Sequence, residues 1–224
     1  MPLFDRLTKD TESDRQEFMR APIIERALNK DIDIDDYIAF LTQAYHHVSH
    51  TVPLLMLVGS KLKKDQEWIR LAVADYIEEE LGHQEWILND IEECGFDKES
   101  ARQSQPSFDT ELMVSYAYDQ IERVNPLGFF GMVHVLEGTS INLADTIAQK
   151  VGEKLGLSAK AFTYLISHGS LDQKHTDFFK ELINQIEPEH DQEVIIKSAK
   201  MFYRLYGNIF RNLDKNHCIS RLAV

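Results

Sequence analysis

Cysteine is nearly missing from this chain: Cys94 and Cys218 are the only two in 224 residues. Two thiols so far apart build neither a disulfide framework nor a thiolate metal site, and a reducing compartment is the simplest setting. Proline and glycine are also scarce, at six and ten. They fall mostly at the edges of segments whose apolar residues recur near every 3.6 positions, which excludes a strand-rich fold. The longest apolar run, Val52 to Val58, contains Pro53, and Met1 to Asp10 has no hydrophobic signal core. No membrane span or secretory leader is expected. Basic residues are in deficit, 24 Lys and Arg against 37 Asp and Glu for a formal charge of −13, and no basic run exceeds Lys63-Lys64. Nucleic acid and anionic membranes both need a concentrated positive patch, so neither is an expected partner. The reading is a soluble, cytoplasmic protein whose partners are small molecules or protein, and a homodimer is compatible with it.

What is present is enough apolar residue, 43%, to bury a sizeable core. The pattern predicts an all-α, single-domain helical bundle over residues 1–224 with about seven to eight helices. Residues 1–30 hold N-terminal helices, one starting near Ser13 with Gln16 as its capping-box partner and one following Pro22. Core helices are expected over about 34–63, kinked by Pro53 just after His50, and over about 66–94, ending at Gly95. A connector (96–108) leads to helices over about 109–123, 126–151, 158–186 (capped by Ser158) and 189–213, with 215–224 as a tail.

Ionisable residues inside the apolar stripes are the informative feature, because burying an unpaired charge is costly. Stepping roughly 100° per residue from His83 puts Ile69, Ala72, Val73, Tyr76, Ile87 and Ile91 on one face, with Glu79, Glu80 and His83 inside it. Glu80 and His83 form E-x-x-H, the spacing by which one helix offers a carboxylate and an imidazole to one metal. His168, Asp172 and His175 stand at i, i+4, i+7 on the face of Tyr164, Leu165, Phe179 and Ile183. They read either as ligands or as a hydrogen-bonded ladder between helices. Glu137 shares a face with Phe130, Val133, Ile141, Ala144 and Ala148, while His134 is about 60° round and reads as supporting or structural.

Three carboxylates and three imidazoles without a thiolate suit iron or manganese, and six such groups can hold two ions with positions left for dioxygen or substrate. Apolar walls such as Phe129, Phe130 and Tyr164 would shield the reaction. His46, His47 and His50 form i, i+3 and i, i+4 pairs, so one pair can line a cavity, although no acid accompanies them and a structural role fits as well. His190 and His217 read as solvated, and Cys94 as a poor nucleophile.

This helix order and these motifs resemble the TenA/PqqC-like, heme-oxygenase-like superfamily over about residues 31–213. The likeness is nearest to its iron-containing, di-iron oxidase branch, which includes proteins similar to CADD and UndA. The resemblance implies a non-heme site of two irons (manganese as the alternative) held by Glu80 with His83, by Glu137, and by His168, Asp172 and His175. The Glu–His spacing varies within the branch, so Glu79 stands beside Glu80 as the alternative ligand. It also implies an oxidase or oxygenase using dioxygen on a small, partly apolar substrate. The other branch implies a metal-free protein that binds or converts a small heterocycle related to thiamin or a quinone cofactor. Heme is not expected, since the first histidine, His46, lies well inside a core helix, and Leu136-Glu137-Gly138-Thr139 stands where thiaminase members carry a cysteine.

Overall fold

A computed structural model describes residues 1–213 and 221–222, with the side chains of all of these except Ile141, Asn142 and 168–175. The described residues form eleven α-helices: α1 Leu3–Met19, α2 Pro22–Leu28, α3 Ile34–Val48, α4 Thr51–Lys61, α5 Glu67–Glu80, α6 His83–Glu93, α7 Lys98–Gln103, α8 Phe108–Asp119, α9 Phe129–Leu155, α10 Thr163–Ile183 and α11 Glu189–Arg211. None is long and apolar enough to cross a membrane. The all-helical expectation holds, and the number is higher than expected because two long helices are divided and the connector contains the short α7.

Both divisions have a physical cause. Pro53 does more than kink a helix. The chain turns at Ser49 and His50 and restarts at Thr51, which places Pro53 in the first turn of α4, where its missing N–H has no helical partner to lose. The expected helix over 66–94 stops at Glu80, and Gly82 takes φ +92° before α6 begins at His83. That left-handed conformation favours glycine. At the N-terminus, α1 begins at Leu3 and not near Ser13, because Leu3, Leu7, Thr11 and Phe18 already form a buried face. Gln16 bonds Glu12 one turn back, so the capping-box pattern here is a mid-helix coincidence.

The apolar faces pack into two clusters. One gathers α1, α4, α5, α8, α11 and the first half of α9 around Phe18, Leu55, Tyr76, Phe130 and Phe202. The other gathers α3, α6, the second half of α9 and the start of α10 around Tyr37, Leu41, Ile87, Val151 and Phe162. The long α9 is the shared wall. Its C-terminal end meets the α2–α3 turn, where Lys150 Nζ donates to the Leu28 carbonyl at 2.7 Å. Near its N-terminal end α9 comes very close to α11: a Cβ on Gly131 would lie 2.5 Å from Ala199 N and 2.8 Å from Ile195 O. Helix backbones cannot give way as a flexible side chain does. Gly131→Ala is therefore expected to cost about 1–3 kcal/mol, the usual range for overpacking, read as a lower denaturant midpoint with an unchanged slope.

Candidate functional site

A cavity of about 160 Å³ lies between the two clusters, along α3 and α9. Most of its lining is apolar, including Phe18, Leu55, Phe129, Met132, Leu143 and Leu165. Against that background Glu80, Glu137, His47, Tyr76 and Tyr164 all reach its wall.

Glu80 is the last residue of α5 and His83 the first of α6. The break between them brings His83 Nδ1 within 3.0 Å of Glu80 Oε2, with the two side chains 4% and 13% exposed. Their proximity thus comes from a turn at Gly82 and not from consecutive positions of one helix. His83 also stacks against Trp86, ring centroids 4.0 Å apart. Glu80 therefore has an imidazole on one side and the cavity on the other. Glu79 is solvent-exposed. Glu137 sits about a third of the way along α9, and its Oε2 is shielded from solvent.

His168, Asp172 and His175 belong to α10, but their side chains lie outside the described residues, as do His217 and Cys218 altogether. Among the described residues, no three His, Cys, Asp or Glu side chains gather closely enough to hold an ion. The structure thus brings Glu80 to His83 and sets Glu80 and Glu137 on one cavity.

The remaining candidates separate cleanly. His47 lines the cavity, its ring edge-on to Tyr206 at 5.7 Å. His46 points away to Ser104, with Nε2 2.8 Å from Oγ, and His50 reaches the Tyr118 hydroxyl at 3.0 Å. Neither expected pair lines the cavity together, since His46 faces about 100° away from His47 and His50 lies beyond the end of α3, in the turn before α4. Of the expected apolar walls, Phe129 and Tyr164 line it, while Phe130 packs against Phe179 behind. His190 is exposed, and burial with nearby Asp90 and Glu93 raises the Cys94 thiol to about 12, which keeps it protonated and inert.

His134 lies on the far side of α9, enclosed by Phe4, Phe179 and Tyr203. Thr11 Oγ1 gives its proton to the Leu7 carbonyl at 2.7 Å, so His134 Nε2, 3.3 Å away, is the donor to Thr11. Burial lowers this imidazole to about 4.

One residue that sequence reasoning missed positions α10. Asp90 of α6 is fully buried. It accepts from Thr163 N at 3.0 Å, Thr163 Oγ1 at 2.6 Å and Tyr164 N at 2.9 Å. It thereby caps α10 from another helix and replaces the expected cap at Ser158. Burial raises its pKa, while those three bonds act in the opposite direction. Its sequence neighbours, Leu88 and Ile91 on a buried face, mark only that an acid sits where apolar residues belong.

Residues 38–207 match the family described as iron-containing redox enzyme, and the chain belongs to that family. No curated protein matches it. Among solved structures, a domain of unknown function with a heme oxygenase-like fold from Shewanella denitrificans superposes with a TM-score of 0.86 at 22% identity, covering 95% of this chain and 92% of that one. A CADD-like protein of unknown function from Nostoc punctiforme gives 0.74 at 16% identity, covering 97% of each. A TenA homologue from Pseudomonas syringae gives 0.76 at 11%, covering 95% and 92%. The fold is heme-oxygenase-like.

Two outcomes follow from this geometry. Removing the carboxylate in Asp90→Ala strands buried donors at the start of α10 and should cost about 2–3 kcal/mol in chemical denaturation, with Asp90→Asn recovering part of it. For His134, the folded pKa of about 4 lies below the unfolded value near 6.5. The unfolded chain therefore takes up a proton that the folded chain refuses. The stability from this group is complete above about pH 6.5 and is lost, by about 3 kcal/mol, as pH falls to about 4. Denaturation curves across that window should be flatter for His134→Phe than for the parent protein.

Proposed function

We propose that this chain is a non-heme di-iron oxidase or oxygenase that uses dioxygen to oxidise a small, partly apolar organic substrate. The observation that carries this reading is that Glu80 and Glu137, from different helices, both reach one largely apolar cavity, with His83 set against Glu80. Carboxylates in such surroundings need compensating positive charge, which divalent cations supply. Oxygen and imidazole donors, with no cysteine among the described lining residues, fit iron and, second, manganese. The residues that would hold the ions are Glu80, His83 and Glu137, with His168, Asp172 and His175 of α10 assigned from their spacing.

Bound iron would supply the activation of dioxygen. The chain's own contribution is enclosure and orientation. Phe129, Leu165 and Tyr164 keep bulk water from the carboxylates, which strengthens every electrostatic interaction inside. Asp90 fixes the start of α10 and hence the heading of the His168–His175 stretch. His47 and Tyr76 add an imidazole and a phenol to the cavity wall.

A second reading, a metal-free protein that binds or converts a small heterocycle, draws on the likeness to a TenA homologue and on the Glu137 carboxylate at the cavity, a group of the kind that acts as acceptor or base. Metal loading separates the two. Protein stripped of metal and incubated with Fe(II) without oxygen should take up close to two irons per chain and consume dioxygen on exposure to air. His168→Ala and Asp172→Ala should each lose most of that uptake while keeping helical content. Absence of uptake, or uptake untouched by both substitutions, would contradict the oxidase reading.

A further inference from the structure

Of the helices that line the cavity, α2 is the shortest, with seven residues. Two turns of helix are not stable by themselves in water, so α2 keeps its shape only through what it touches. Its inner side supplies Ile23, Ile24 and Ala27 to the cavity wall. Ile24 belongs to one apolar cluster and Ala27 to the other, while Ile23 is half-buried and so reaches both cavity and surface. An outward movement of α2 would open the cavity to water without unwinding α9 or α11.

Polar contacts hold the outer side of α2. Arg26 Nη1 and Nη2 bond the Asp36 carboxylate at 3.2 and 2.6 Å. Asp36 is a residue of the cavity wall with its side chain 2% exposed, whereas that of Arg26 is 35% exposed. The pair thus joins the interior to the surface. Lys150 of α9 donates to the Leu28 carbonyl at 2.7 Å, and Lys30 pairs with Glu153 of α9 where both side chains are exposed. As α2 moves out, water reaches Asp36 while Arg26 leaves it, so no charge is stranded in an apolar interior.

The C-terminal end of α2 is strained in this closed form. Asp31 N donates to the Arg26 carbonyl at 2.8 Å and Lys30 N to the Ala27 carbonyl at 3.2 Å, the two bonds of a Schellman cap. That cap needs a left-handed residue, usually glycine, and Lys30 supplies it with φ +58°. The ion pair therefore holds α2 in place against a terminus that gains by relaxing.

From these features we infer that α2 is the door of the cavity: it swings out between Ala21 and Lys30 to admit the substrate, and the Arg26–Asp36 ion pair holds it shut. The inference rests on the proposed function only in taking the cavity as the place where substrate binds.

Hydrogen exchange on the full-length protein tests the motion. The amides of Arg26 to Asp31 should exchange through a local opening at least about tenfold more populated than the one that exposes α9 amides near Val135. Arg26→Met, which keeps an apolar stem and removes the guanidinium, should raise exchange in α2 by about tenfold more and leave α9 unchanged. Entry is read by fluorine NMR exchange of fluorobenzene, a probe of the size that apolar cavities of about 150 Å³ accept. Arg26→Met should raise its association and dissociation rates by the same factor, at least about fivefold, while the dissociation constant moves by less than about twofold. Amides of α2 that exchange only with global unfolding, an Arg26→Met effect spread evenly over α2 and α9, unchanged fluorobenzene rates, or no binding of fluorobenzene would each overturn the inference. Iron uptake, read separately by metal analysis, keeps the two readings apart, because no proposed metal ligand lies on α2. Protein that takes up no iron yet shows the coupled rates fails the oxidase reading alone, and protein that takes up iron while α2 exchange is untouched by Arg26→Met fails this one alone.

Discussion

Glu80 and Glu137 reach one largely apolar cavity from different helices, and carboxylate charge in such surroundings is costly unless it is balanced. Glu80 ends α5 instead of sitting inside a longer helix, and the turn at Gly82 returns His83 to within 3.0 Å of it. Glu137 is carried by α9, which runs unbroken from Phe129 to Leu155 and forms a wall common to both apolar clusters. The acid with no place in the proposed site, Asp36, has its own cation in Arg26. Arg26 thus balances Asp36 from within the chain, and on the proposed reading the metal centre adds positive charge beside Glu80, His83 and Glu137.

Asp90 is buried outside the cavity lining and acts on the site through the helices it joins. Asp90 gives α10 its N-terminal acceptor across the interior, so α6 and α10 are fixed relative to one another by three hydrogen bonds. Since α6 begins with His83, and α10 carries His168, Asp172 and His175, one side chain couples two parts of the proposed ligand set. His134 makes the complementary case. It shares α9 with Glu137 but faces Phe4, Phe179 and Tyr203, where its imidazole works as a neutral packing group between helices.

Apolar periodicity made most of the core legible. Ile69, Ala72, Val73, Tyr76, Ile87 and Ile91 are all buried, as are Phe130, Val133, Ala144 and Ala148, because burial of a helix face repeats along the chain. The break at Gly82 was hidden for the same reason: glycine is tolerated inside helices, and the buried face continues on both sides of the turn. His46 and His47 are both buried, and spacing alone does not say which of two adjacent residues meets a cavity. Asp90 is beyond local pattern entirely, since its partners are more than seventy positions away. Ser13 and Gln16 misled in the opposite direction, because a capping-box pair also occurs by chance within a helix whose real start is set by the burial of Leu3 and Leu7.

On the proposed reading, Glu80, His83 and Glu137 all bind one metal centre. A crystal structure of the Fe(II)-loaded protein, collected at the iron edge, addresses it most directly. Anomalous density is expected in bonding contact with Glu80, with His83 and with Glu137, on the wall of the cavity between α3 and α9. Well-ordered crystals of iron-loaded protein with no iron signal there, or with the signal on a surface carboxylate cluster while Glu80 and Glu137 stay uncoordinated, would contradict it.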